Sequence, residues 1–115
     1  MRSVDIHWIA GFIEGEGCFC NREKGRGGAQ IVTVQKDVEP VLKLYDLVGG
    51  SLRRIVKKNG KMYWKHSLCG ADAIGLMMTL YVLMSKRRQA TIQHELARWN
   101  QIKHLKPIRR YKNAF

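Results

Sequence analysis

The stretch from Ile6 to Gly15 is apolar on both sides of the helix it would form. At about 100° per residue, Ile6, Ile9, Ala10 and Ile13 fall on one side and Val4, Trp8, Gly11, Phe12 and Gly15 on the other. A short chain can cover one such side with its own core, so the second side calls for a partner surface. Gly11 and Gly15 lie one turn apart there, with no side chain to hold a second helix backbone away. Trp8 and Phe12 flank them as interface or core groups. Ser3 or Asp5 is expected to cap this helix, over residues 6–15, and Gly15 and Gly17 to stop it.

The helix ends in two acids, Glu14 and Glu16, interleaved with glycines, in a chain of net charge +12. The charge is unevenly placed. Residues 1–50 hold 6 Lys/Arg and 7 Asp/Glu, net −1, whereas residues 51–115 hold 15 and 2, net +13. A pI near 10.1 with clustered Lys and Arg is the footprint of a polyanion binder, nucleic acid above all. An acidic helix end in such a chain needs a reason, and a bound metal ion is one.

With 115 residues the chain makes one domain, and 45% hydrophobic residues suffice for a core. No apolar run approaches the roughly 18 residues of a membrane span, and no signal-peptide pattern is present. Cys18, Cys20 and Cys69 fit neither a disulfide framework nor zinc-ligand spacing, so free thiols in a reducing compartment are expected. That places the chain inside the cell, in cytoplasm, nucleoid or an organelle matrix, not secreted and not in a membrane.

Residues 18–24 and 29–36 read as two strands separated by the glycine-rich 25–28. Asp37 is expected to cap a helix over 38–48, with Val41, Leu44, Leu47 and Val48 at helical spacing and Gly49-Gly50 ending it. Residues 51–58 and 61–68 read as strands joined by a two-residue turn at Asn59-Gly60. In the last strand Met62, Trp64, His66 and Leu68 alternate with Lys61, Tyr63, Lys65 and Ser67, one packing face and one basic, aromatic face. His66 falls on the packing side and reads as a core histidine. Asp72 should cap a third helix running to Met84, and Ser85 opens a fourth with the stripe Ile92, Leu96, Trp99. The order is α-β-β-α-β-β-α-α, followed by a basic tail, 103–115, expected to be extended and to order on binding.

The stretch Ile9-Ala10-Gly11-Phe12-Ile13-Glu14-Gly15-Glu16-Gly17 resembles the LAGLIDADG motif, in the form Gly-Phe-Ile-Glu-Gly-Glu-Gly-Cys-Phe that continues to Phe19, and the element order resembles the homing endonuclease domain built on it. The resemblance covers roughly residues 5–102. It implies an α+β fold, αββαββα, with a curved antiparallel four-stranded DNA-binding sheet, in one domain over 1–102. It also implies a site-specific double-strand DNA endonuclease that cuts across the minor groove of a long pseudo-palindromic target and leaves short 3′ overhangs. The expected cofactor is Mg²⁺ and the expected host gene an intron or intein. One motif copy implies a homodimer, in keeping with the two-faced helix.

Glu16 matches the motif's last acid, the metal ligand of the family, and a carboxylate beside a two-fold axis would meet its symmetry mate. Glu14 matches the first acid, a position more often structural. Gln35 falls where the family often keeps a polar residue that orders active-site water; it also fits a plain strand end. Lys86 falls where many members place a basic residue near the scissile phosphate; with Arg87 and Arg88 it also fits a solvated cluster on backbone phosphates.

Alternation supplies the DNA-facing candidates: Cys18, Cys20, Arg22 and Lys24 on the first strand, Arg53 and Lys57 on the third, and Lys61, Tyr63, Lys65 and Ser67 on the fourth. Arg22 or Arg53 suits guanine, Gln30 adenine, and the lysines phosphate. The second strand, Ile31-Val32-Thr33-Val34, gives no clean face. The alternative reading keeps the fold without cleavage, as an RNA maturase that binds intron RNA and assists splicing, or as a DNA-binding regulator.

Overall fold

The computed structural model describes residues 1–21 and 28–102. Arg22, Lys24 and the tail 103–115 lie outside the described residues. The elements are α1 (Ser3–Glu16), β1 (Gly17–Asn21), β2 (Ala29–Gln35), α2 (Val38–Val48), β3 (Ser51–Val56), β4 (Met62–Cys69), α3 (Gly70–Leu80), a 3-10 turn (Tyr81–Leu83) and α4 (Lys86–Ile102). The order is the one expected. Among the described residues no helix is long and apolar enough to cross a membrane.

Helix α1 starts earlier than its sequence suggests. Arg2 occupies the capping position, and its backbone N–H donates to Asp5 Oδ2 at 3.3 Å. Asp5 therefore reaches back from inside the first turn rather than standing before it, the reciprocal half of a capping box. Ile9 and Ile13 on the inner side of α1 are fully buried. Each contributes about 1.5–3 kcal/mol by leaving water.

The sheet order is β1-β2-β4-β3, all antiparallel. Residues paired directly across strands share a face. Phe19, Ile31 and Leu68 therefore lie on one side, in the register Phe19 with Ile31 and Ile31 with Leu68, and all three are buried. They join Leu44 of α2, Met77 and Leu80 of α3 and Ile92 of α4 in a single core. The other side carries Cys18, Cys20, Gln30, Val32, Val34, Lys65, Ser67 and Arg53. In β2 it is Ala29, Ile31 and Thr33 that are buried, with Val32 and Val34 outward. Two valines on the outer face are what hid the alternation of this strand.

The turn between β3 and β4 differs from the two-residue hairpin expected. Lys57 N–H donates to Lys61 O at 2.9 Å, so the loop is Lys58-Asn59-Gly60, and Gly60 N–H donates to Lys57 O at 2.9 Å. Gly60 has φ +81°, the left-handed residue that follows a type I turn in a three-residue hairpin loop.

Helix α3 begins at Gly70, not after Asp72, which sits in its first turn where a negative charge suits the helix dipole. It stops at Leu80, four residues short of the end expected, and the 3-10 turn follows. That break lets Met84 turn into the core, where it is 6% exposed. Gln89 Nε2 donates to Tyr81 O at 2.9 Å and ties the turn to α4.

His66 is a core group, 1% exposed, its Nε2 paired with Gly49 O at 2.7 Å. The approach depends on Gly50, with φ +93°, where a Cβ would stand 2.5 Å from Ser67 O. Burial lowers the His66 pKa below its ordinary 6.5, partly offset by the bond to Gly49. The unfolded chain then takes up this proton more readily than the folded one, so stability is full above the unfolded value and falls as pH drops below it. Urea denaturation is expected to show lower stability at about pH 5 than at about pH 7, and His66→Gln, which keeps an N–H donor, to flatten that dependence.

Candidate functional site

The end of α1 and the end of β2 converge. Glu16 is the last residue of α1 and Gln35 the last of β2. The strand pairing of Gly17 with Thr33 brings those ends side by side. Gln35 Nε2 donates to Glu16 Oε2 at 2.9 Å and to Val34 O at 3.0 Å. Its amide thus holds one carboxylate oxygen of an exposed acid and leaves the other, Oε1, for a different partner. Two residues 19 positions apart in sequence, picked separately as catalytic candidates, form one unit.

Lys86, the third, is the exposed first residue of α4. The residue before it, Ser85, is bound to the end of α1. Glu14 Oε1 accepts the Ser85 backbone N–H at 2.6 Å, and Glu14 Oε2 accepts the Ser85 hydroxyl at 3.0 Å. The backbone N–H of Ser85, then its hydroxyl and the charge of Arg88, hold the Glu14 carboxyl below its ordinary pKa. Both oxygens of Glu14 are therefore engaged within the chain.

Arg88 is a correction. Expected as a DNA contact with Arg87, its side chain is only 11% exposed and turns inward. Nη2 donates to Glu14 O at 3.1 Å, Nε stands 3.6 Å from Glu14 Oε2, and the guanidinium lies 5.3 Å over the Phe19 ring. A guanidinium so engaged is committed to the fold. Arg87, by contrast, is exposed.

The outer sheet face gathers most of the remaining candidates. Arg53 pairs with Lys65, Ser51 with Ser67, Val32 with Ser67 and Gln30 with Cys69, so Gln30, Arg53, Lys65 and Ser67 share one surface. Tyr63 continues it opposite Ile55, and Lys57 Nζ lies 4.3 Å over the Tyr63 ring. Lys57 and Lys61 stand at the hairpin end, both exposed. Helices cover the opposite side of the sheet, so this surface faces outward.

Gln30 has company the sequence did not announce. Cys20 Sγ–H donates to Gln30 Oε1 at 3.7 Å, and Gln30 Nε2 donates to Cys69 Sγ at 3.5 Å. The thiols fix which end of the amide faces which strand. Burial, with Cys18 beside it, pushes the Cys20 thiol up to about 11, so it remains a proton donor.

On the second side of α1, Gly11 and Gly15 are exposed, and a Cβ built on either meets nothing within 4 Å. Val4 is 62% exposed. Trp8 and Phe12 stack at 5.1 Å and 14°, half-buried against the core, with Lys43 Nζ 4.2 Å from the Trp8 ring. They belong to the core edge as well as to the open face.

The clamp from Glu14 to Ser85 carries no sequence signal, because its partners are 71 residues apart. The Cys20-Gln30-Cys69 row is foreshadowed only by the alternation that puts Cys18 and Cys20 outward.

No family model and no curated protein matches the sequence. Solved structures do. The LAGLIDADG meganuclease I-AabMI, bound to uncleaved DNA, is similar with a TM-score of 0.68 at 19% identity, over 90% of this chain and 39% of that one. The archaeal intron-encoded homing endonuclease I-Vdi141I, complexed with DNA, gives 0.61 at 19%, over 80% and 65%. The homing endonuclease I-CvuI, in complex with a target in the presence of Mg and with the DNA not cleaved, gives 0.57 at 18%, over 78% and 62%. The chain thus spans 39 to 65% of the length of these three proteins. With its four-stranded antiparallel sheet, its helices on one side and its Gly11–Phe19 run at the end of α1, the chain has the fold of the LAGLIDADG homing endonucleases.

Proposed function

We propose that this protein is a site-specific double-strand DNA endonuclease that works as a homodimer on a long pseudo-palindromic target and leaves short 3′ overhangs. The observation that carries the reading is the Glu16–Gln35 unit, an exposed carboxylate held by an amide at the edge of a basic sheet face. The solved structures of this fold named above are DNA complexes, which supports the same partner.

The sheet face would lie along the major groove. Lys57, Lys61 and Lys65 neutralise phosphates there, while Arg53 can reach guanine edges. Lys65→Ala is expected to weaken DNA binding and to lower the slope of log K against log salt by about one unit, as for one lost phosphate contact. An unchanged slope in a salt titration removes Lys65 from the contacts.

A divalent metal fits the residues only if it is shared. Glu16 offers a hard carboxylate oxygen suited to Mg²⁺, yet among the described residues no group of three His, Cys, Asp or Glu could hold a metal ion. Glu16 of each of two copies, with phosphate oxygens and water, would make up the set. A bound cation supplies Lewis-acid polarisation of the scissile phosphate and acidifies water. Gln35 holds Glu16 Oε2, and Oε1 would be the oxygen that joins that set. Lys86, exposed at the start of α4, would donate to a phosphate oxygen as negative charge grows on it. The open side of α1 supports the dimer, since Gly11 and Gly15 leave room for a second helix.

Incubation with the DNA flanking its own coding region, in Mg²⁺, tests the reading. Specific double-strand cleavage is expected. Tight intron-RNA binding without cleavage selects the maturase instead, and specific DNA binding without cleavage the regulator.

A further inference from the structure

The clamp of Glu14, Ser85 and Arg88 joins the two segments that carry the proposed reacting groups. Glu14 stands two residues before Glu16, and Ser85 one residue before Lys86. Both Glu14 oxygens are engaged by Ser85, at 2.6 Å by its backbone N–H and at 3.0 Å by its hydroxyl. The Ser85 hydroxyl in turn accepts the Arg88 backbone N–H at 3.3 Å, and Arg88 Nη2 returns to the Glu14 carbonyl at 3.1 Å. The circuit closes on itself. A carboxylate placed at the start of α4 also complements the positive end of that helix. Any slide of α4 along α1 would break charge-assisted hydrogen bonds, which are stronger than neutral ones.

We propose that Glu14 is a positioning residue for strand cleavage: through Ser85 it fixes where α4 starts relative to the end of α1, and so sets the separation of Lys86 from Glu16. This rests on the endonuclease reading above. Glu14 touches neither DNA nor metal in this role, because both its oxygens are spent within the chain. Arg88 serves the same clamp from the other side, which accounts for its inward turn.

The experiment measures single-turnover cleavage at saturating DNA and DNA affinity in Ca²⁺, for Glu14→Ala, Glu14→Gln, Lys86→Ala and the Glu14→Ala/Lys86→Ala pair. Glu14→Ala should cut about 100-fold more slowly, as misplacement by about 1 Å does, with affinity unchanged. Glu14→Gln keeps an acceptor for the Ser85 N–H and should recover most of the rate. The double variant should be no slower than Lys86→Ala alone, since both act through one amine. A Glu14→Ala protein of lowered thermal stability that cuts at the parent rate overturns the proposal, and so does full additivity with Lys86→Ala. Should Glu14→Ala fail to fold, Ser85→Ala, which removes the hydroxyl's bonds to Glu14 and to the Arg88 N–H but keeps the Ser85 backbone N–H on Glu14, carries the same comparison. If the parent chain cuts no DNA, the endonuclease reading fails, and positioning is judged on the free protein. Lys86 and Glu16 NMR resonances that move in Glu14→Ala support it, and unmoved ones overturn it.

Discussion

Glu16→Gln is expected to bind target DNA in Ca²⁺ as tightly as the parent chain and to leave it uncut in Mg²⁺. Glutamine is nearly the same size as glutamate and still presents an amide oxygen to Gln35, whose N–H now reaches Glu16 at 2.9 Å. Local geometry therefore survives and only the negative charge goes. With the charge would go the hard anionic ligand proposed for the cation, and a loss of several kcal/mol of transition-state stabilisation is expected, about 10³-fold in rate for about 4 kcal/mol. Gel retardation in Ca²⁺ and plasmid cleavage in Mg²⁺ separate the two effects. A fully active variant removes Glu16 from the metal site, and a variant that no longer binds DNA assigns it to recognition instead.

Gly11→Leu is expected to convert the protein to a well-folded monomer that does not cut both strands. Within a single chain a Cβ at Gly11 meets nothing within 4 Å, so the larger side chain has free space. Leucine is also the better helix former, by a little less than the roughly 0.8–1 kcal/mol that separates alanine from glycine, so thermal stability should hold or rise. Between two copies of α1 the same side chain would hold the backbones apart by its own bulk, because close helix approach depends on small residues. Sedimentation equilibrium on the parent and the variant, beside a double-strand cleavage assay, reads both consequences. A dimeric, active Gly11→Leu protein would place the interface on another surface.

Gly11 and Glu16 stand out as candidates in the sequence because helical periodicity displays a helix's faces, and both lie in a short local motif. The outer sheet face was legible for the same kind of reason in β4, where polar and apolar residues alternate cleanly. It was not legible in β2, where Val32 and Val34 face outward beside buried Ile31 and Thr33. The hairpin is instructive. A two-residue loop at Asn59-Gly60 would have set Lys58 opposite Lys61 and carried Arg54, not Arg53, to the side of Lys65. The face expected for Arg53 therefore required the three-residue loop that the strands adopt, with Lys57 opposite Lys61. Periodicity within each strand was the better guide, and turn preference the poorer one.

Arg88 failed for a different reason. A run of Lys86-Arg87-Arg88 looks like a uniform basic cluster, yet successive helix positions point in different directions, and only the third faces Glu14 and Phe19. Composition cannot distinguish these three side chains, but helix phase relative to a distant acid does. The same distance hid the Cys20-Gln30-Cys69 row, which needs three strands to assemble.

The clamp across 71 residues has a kinetic side. Contacts so remote in sequence carry a large loop-closure cost and tend to form late in folding, after local hairpins and helices. Glu16 and Gln35 can meet once the first hairpin has closed on α1, whereas Lys86 takes its place only when α4 has docked. An excursion that undocks α4 alone would leave a chain with much of its sheet and its outer face intact but Lys86 adrift. On the endonuclease reading, loss of cutting is then expected to precede loss of binding as the protein is warmed.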